Sequence, residues 1–211
     1  MPRAADRLAL AQWLSPAFPV GSYAHSQGLE QAMSAGSVRD GATLEAWVAA
    51  VLGQGAGRMD AILLAHARRG PPEAIADLAL ATAASAERAA EMRDQGAAFA
   101  QVRAAITGQP QPDLPYAVAL GHASRDLDLP VPEILALFLQ ALAAQLISAA
   151  VRFLPLAAAE GQALLARLAP LIAGLAEDCA EAPLSALATS AFAADLAAMR
   201  HETLPVRLFR S

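Results

Sequence analysis

No lysine occurs anywhere in the 211 residues; all fifteen basic residues are arginines. That absence excludes a phosphate-loop lysine, a Schiff-base lysine and the strand lysine of protein kinases. A single cysteine, Cys179, rules out an internal disulfide and any thiolate metal cluster. Basic patches are missing as well, and the formal charge is −5, so nucleic acid is not the expected partner. β-Branched residues are sparse and no alternating run reaches strand length. The chain therefore reads as all-α.

What is abundant is apolar. The chain is 56% hydrophobic, and about a quarter of it is alanine. The start, "MPRAADRLALAQWL", carries Asp6, Arg7 and Gln12 and makes a poor signal peptide. Ile134 to Val151 is uncharged and borderline in length for a bilayer, but Gln140, Gln145 and Ser148 dilute it. A helix apolar on every side also suits the centre of a bundle, which is the reading taken here over a membrane-embedded one. The expected location is cytoplasmic.

Helical punctuation gives a single-domain bundle of roughly eight to ten helices around that central apolar helix. A first helix is expected over Asp6 to Leu14, and a second from near Tyr23 to Ala35, stopped by Gly36. Asp40 or Thr43 caps a third through Leu52, and "GQGAG" interrupts before "RMDAILLAHARRG". Pro71-Pro72 opens a long Ala-rich helix to about Ile106, and Pro115 and Pro132 start the next two as first-turn prolines. Pro155 closes the apolar helix, another runs from Leu156 to Ala176, and a last one follows Pro183 to His201. The domain is placed at 1–200, with 201–211 an irregular tail.

Sites are few. Gly21 and Gly28 have the wrong spacing for a nucleotide loop, and no strand precedes them. Ser22, His25 and Ser26 would be neighbours on one helix face, which could set a hydroxyl beside an imidazole; capping by Ser22 explains them equally. The histidines are scattered, and only His122 and Asp126 have ligand spacing, as an ion pair also would. Glu87, Glu91 and Asp94 form an acidic strip, either a solvated face beside Arg88 and Arg93 or a seat for a partner's basic group. The tail "MRHETLPVRLFRS" sets Leu204, Val206, Leu208 and Phe209 among arginines. It either packs back on its own domain or docks a partner. Having few helix signals, it is expected to make little intrachain hydrogen bonding.

Several separated segments resemble the urease accessory protein UreF family, in the family's order. "LSPAFPVGSYAHSQGLE" resembles its N-terminal signature, "DGATLEAWV" its Trp-bearing helix and "EMRDQ" its Glu-x-Arg-x-Gln helix. "LPYAVALGHA", the apolar helix "FLQALAAQLISAAVRFLPL" and the His-Glu…Arg-Leu-Phe-x-Ser ending complete the set. Two positions depart: Ala157-Ala158 stand where the family has Gly-Gln, which occurs later as Gly161-Gln162. Gly96 stands where it has Ser, and a mid-helix glycine costs about 1 kcal/mol against Ala.

The resemblance implies an all-α, non-catalytic scaffold for nickel loading into urease. Such a protein dimerises, binds UreD (also called UreH), recruits or regulates the GTPase UreG and acts on apo-urease. It holds no tight cofactor, and nickel passes through the assembled complex. On this resemblance the partner-binding residues are Tyr23, His25, Gln27 and Glu30; Glu91, Arg93 and Gln95; Tyr116; and Arg200, His201, Glu202, Arg207, Leu208 and Phe209. The alternative is a helical hydrolase using Ser22 and His25. With no lysine or phosphate loop, the isolated chain is expected neither to bind nor to hydrolyse GTP. Saturable nucleotide binding to the purified chain in a calorimeter would contradict this.

Overall fold

The structure, a computed structural model, describes residues 3–211 and is all-α, with ten α-helices and no strand among the described residues. In chain order they are α1 (Ala4–Trp13), α2 (Leu29–Ser34), α3 (Gly41–Gln54), α4 (Ala56–Arg69) and α5 (Pro72–Ala81). There follow α6 (Ala86–Thr107), α7 (Tyr116–Ala123), α8 (Val131–Phe153), α9 (Ala158–Glu181) and α10 (Phe192–His201). Single 3₁₀ turns occupy Ser22–Ala24, Ser124–Asp126 and Leu184–Ala186.

Local chemistry sets most boundaries. Asp40 caps α3 by accepting from the Thr43 N–H at 2.8 Å, and Thr43 Oγ1 accepts from the Asp40 N–H at 3.1 Å. This reciprocal box satisfies two N–H groups that a helix start leaves unpaired. Left-handed Gly108 stops α6. Pro115 stands just before α7 as its N-cap, and Pro132 lies within the first turn of α8. Both places cost no helical hydrogen bond, since the first N–H groups have no partner.

Helix α8 runs through the centre, packed against α9, α4 and α3. Ile134, Leu135, Leu139, Ala143, Leu146 and Ala150 are fully buried, and α4 adds Ala61, Ile62, Leu64 and Ala65. Two stretches, Gly41–Arg69 (α3 and α4) and Val131–Phe153, are long and apolar enough by composition to cross a membrane. Most of each is buried by neighbouring helices, the signature of a bundle core.

Four expectations change. The last helix, expected from Pro183, is a 3₁₀ turn at Leu184–Ala186 followed by α10 only from Phe192. The long helix placed over 72–106 is two helices, α5 and α6. Thr82 Oγ1 bonds back to the Leu78 carbonyl at 3.0 Å, and Ser85 accepts from the Arg88 N–H at 3.0 Å to start a new helix. Side-chain bonds to the backbone outcompete the alanine propensity around them. Helix α9 continues past Ala176 to Glu181. The helix expected from Tyr23 is a 3₁₀ turn, extended His25, and then left-handed Gln27 (φ 53°) and Gly28 (φ 80°) before α2. A Cβ on Gly28 would stand 2.6 Å from the Ala198 backbone nitrogen. Glycine is required there both by its φ and by the closeness of α10.

Gly96 has a physical reason too. A Cβ at that position would overlap the Leu114 carbonyl oxygen, so glycine lets α6 lie against the chain entering α7. We expect Gly96→Ala to destabilise the fold by about 1–3 kcal/mol through overpacking, despite the better helix propensity. Gly174, in α9, has nothing within 4 Å of a built Cβ. There Gly174→Ala should stabilise by about 0.5–1 kcal/mol. Urea midpoints moving in opposite directions would confirm both; a neutral Gly96→Ala would contradict the close approach.

Candidate functional site

The opening loop and the tail, separated by almost the whole chain, are bonded into one unit. Ser26 contributes its N–H and its hydroxyl, both donating at 2.6 Å to the Ser211 main-chain oxygen. The Arg210 N–H donates to the Ala24 carbonyl at 2.7 Å. His25 Nδ1 meets Ser211 Oγ at 3.0 Å, so the hydroxyl beside this imidazole belongs to Ser211 rather than to Ser22. His25 is 5% exposed, and burial pushes it below its ordinary value, with the Glu91 charge offsetting only part. A nucleophile needs an exposed hydroxyl and an activating base, and this pair is enclosed.

Glu30 fastens the same unit from the other side. Its carboxylate is 3% exposed and accepts from the N–H groups of Leu208 (2.8 Å) and Phe209 (3.0 Å). His201 Nε2 lies 3.0 Å from Glu30 Oε2, and its Nδ1 lies 2.7 Å from Glu87 Oε2. Burial pushes Glu30 up, but the bonds from His201 and the two backbone amides more than compensate and hold it below the usual carboxylate range. Arg207 completes the group by bonding Glu87 Oε1 at 2.6 Å. The tail thus makes extensive intrachain hydrogen bonds, contrary to the expectation from its weak helix signals; side chains of α2 and α6 replace the missing helical bonds.

Beneath the loop, Arg88 of α6, its side chain 12% exposed, lies between Asp60 of α4 and Glu91, one turn along α6 at 2.9 Å. Glu91 also accepts from Gln27 and Gln95, each at 3.2 Å. Burial pushes Glu91 up, but Arg88 first, then His25 and the hydrogen bonds, bring it below its ordinary value. Asp60 goes the other way, raised by burial and by Glu91 beyond what Arg88 offsets. Neither reading of the acidic strip holds for Glu87 and Glu91, because Arg207 and Arg88 of the same chain pair with them. Only Asp94 faces solvent. Asp126, paired in sequence with His122, bonds Arg103 at 3.3 Å.

Burial divides the sequence-selected residues. His25, Gln27, Glu30, Glu91, Gln95, His201 and Phe209 are buried, and Tyr116 is half-buried against Phe99 and Phe138. Tyr23, Arg93, Arg200, Glu202, Arg207 and Leu208 are exposed. Tyr23 is 69% exposed, Leu208 73% and Val206 78%. Between Tyr23 and Leu208, with Phe153 and Arg152, lies a cleft of about 250 Å³. A second cavity of about 180 Å³ opens under the loop, walled by Trp13, Phe138 and Tyr116 and floored by Arg88, Glu91 and Gln27. Among the described residues no group of three His, Cys, Asp or Glu side chains could hold a metal ion.

Sequence reasoning missed Asp60 and Ser211, took Ser26 only as a helix-face neighbour of His25, and placed Arg88 only as a surface counter-charge. One signal was present for Asp60: a lone carboxylate inside the apolar run "RMDAILLA". A charge in a core stripe requires a buried partner.

The UreF family model matches residues 38–169. The chain is 60% identical over 205 residues to a protein of Cereibacter sphaeroides named urease accessory protein UreF, covering 97% of this chain and 98% of that one. It is 53% identical over 209 residues to a protein of that name from Paracoccus denitrificans, covering 98% and 97%. The relative of that name from Dinoroseobacter shibae is 49% identical over 208 residues, with 98% and 99% covered.

Removing Arg88 would leave two buried carboxylates without a counter-charge, so Arg88→Ala is expected to cost about 3–5 kcal/mol in denaturant unfolding. The depressed values of Glu30 and Glu91 add a pH dependence. The stability they contribute is complete above their ordinary value of 4.5 and is lost as pH falls through the lower folded values. Glu91→Gln should flatten that acid limb. An unchanged midpoint in Arg88→Ala, or an unchanged acid limb in Glu91→Gln, would contradict the assignment.

Proposed function

The chain belongs to the UreF family of urease accessory proteins, and from that premise we propose that it is a non-catalytic scaffold for nickel delivery to apo-urease. In this reading it binds UreD (UreH), recruits or regulates the GTPase UreG, works as a homodimer in the cytoplasm, and lets nickel pass through the complex without a resident cofactor. The observation that carries the docking part is the union of the opening loop and the tail. Two segments 171 and 186 residues apart are bonded into one face.

On that face Tyr23 and Leu208 line an apolar cleft together with Arg152, and Val206 and Arg207, next in the tail, are also exposed. Exposed aromatic and aliphatic side chains next to arginines are what protein interfaces enrich. The buried members of the set, His25, Gln27, Glu30, Glu91 and His201, serve the surface from below by fixing the backbone that carries it. The hydrolase alternative draws no support from the site, because the enclosed His25 pairs with Ser211.

Burial therefore separates two kinds of variant. Tyr23→Ala and Leu208→Ala, at exposed positions, should change stability by no more than about 0.5 kcal/mol. They should weaken co-purification with UreD by about tenfold or more, equivalent to about 1.4 kcal/mol. His25→Ala and Glu30→Ala should lower the thermal midpoint as well. Pull-downs from cells co-expressing the urease accessory proteins, beside melts of each variant, make the test. Full retention of UreD by both surface variants would refute docking through this face.

A further inference from the structure

His201 is fully buried, and each of its ring nitrogens faces a carboxylate oxygen: Nδ1 faces Glu87 at 2.7 Å and Nε2 faces Glu30 at 3.0 Å. A carboxylate only accepts, so both contacts are hydrogen bonds only when both nitrogens carry protons. Two hydrogen bonds at these nitrogens therefore require an imidazolium. A neutral ring would turn a lone pair towards a buried carboxylate, exchanging an attraction for a repulsion. We propose that tail docking is gated by a proton on His201: the charged ring clasps residues 202–211 onto the opening loop, and losing one ring proton releases them.

The charges around the ring fit this role. Glu30 comes from α2 and Glu87 from α6, while Arg207 of the tail bonds the other Glu87 oxygen. Imidazolium, guanidinium and two carboxylates sum to zero. Glu202, next along the chain, is turned away, accepting from the Ala86 N–H at 2.8 Å at the start of α6. Arg200 is exposed and makes no side-chain bond to the group. Glu30 is held below the usual carboxylate range, so it stays ionised near neutral pH. The clasp is closed at the lower pH and opens as pH rises. Because Glu30 also holds the Leu208 and Phe209 amides, its loss of His201 loosens the tail segment that presents Leu208.

This inference rests on the docking reading only where a partner enters; the gate itself lies within the chain. Trypsin reads it directly, because cleavage after Arg207 needs the guanidinium that Glu87 holds when the clasp is closed. Cleavage of the full chain is followed by mass spectrometry from about pH 6 to pH 9, normalised to a free peptide of residues 200–211. Normalised cleavage should rise with pH by up to about tenfold per pH unit, the limit for one proton. Glu87→Gln supplies an amide that can accept from a protonated nitrogen or donate to a bare one, so its profile should be flat, as should that of His201→Gln. A flat wild-type profile, or an unchanged slope in both variants, would overturn the gate. A sloped cleavage profile beside a pH-independent UreD pull-down would uphold the gate and overturn docking through this face.

Discussion

Arg88 and the two carboxylates around it impose the condition that the rest of the site obeys. Charges removed from water must be neutralised and hydrogen-bonded at close range or they destabilise the fold by several kcal/mol. Asp60 comes from α4 and Glu91 from α6 itself, so the pair fixes how α6 lies on the central bundle. Glu91 then has acceptor capacity left over, and Gln27 and Gln95 fill it. Gln27 can reach only because its backbone is left-handed, a conformation that costs about 1–2 kcal/mol away from glycine. The path of the opening loop is therefore tied to the buried Glu91 charge of α6 that Gln27 bonds.

The tail is the next layer of the same construction. It has no helical or sheet partner for its backbone, so its N–H groups are satisfied by Glu30 and the Ala24 carbonyl, and the Ser211 main-chain oxygen accepts from Ser26. Only Phe209 of its large apolar side chains is buried, beneath the Arg152 guanidinium at 5.3 Å from the ring centroid. Val206 and Leu208 stay out. A tail held by apolar burial would hide those side chains; one held by polar bonds can be ordered and still present them.

Much of the fold was legible because it depends on neighbours in sequence. The Asp40–Thr43 box, the first-turn prolines and the uniformly apolar α8 each declare themselves within one or two turns. The break between α5 and α6 did not, because two hydroxyls had to outcompete the alanine-rich helix on either side. The site was legible in its parts and not in its assembly. His25, Glu30, His201 and the tail were all singled out, yet the pairings of Glu30 with His201 and of His25 with Ser211 span 171 and 186 residues. No periodicity encodes such distances. The polar density of the two terminal segments, in a chain otherwise filled with alanine and leucine, was the visible trace that they complete one another.

The two halves of the molecule are consequently stable for different reasons. The bundle of α3, α4, α8 and α9 rests on apolar burial, which changes little over the pH range in which histidine titrates. The face built from the opening loop and tail rests on ion pairs and charged hydrogen bonds, with few buried apolar side chains of its own. Local openings follow regions of low apolar contact, so this face can loosen or re-form while the bundle stays folded. A surface of that kind suits a scaffold: its presence is set by local chemistry at a few buried side chains, and the bundle behind it keeps the exposed side chains in register whenever it closes.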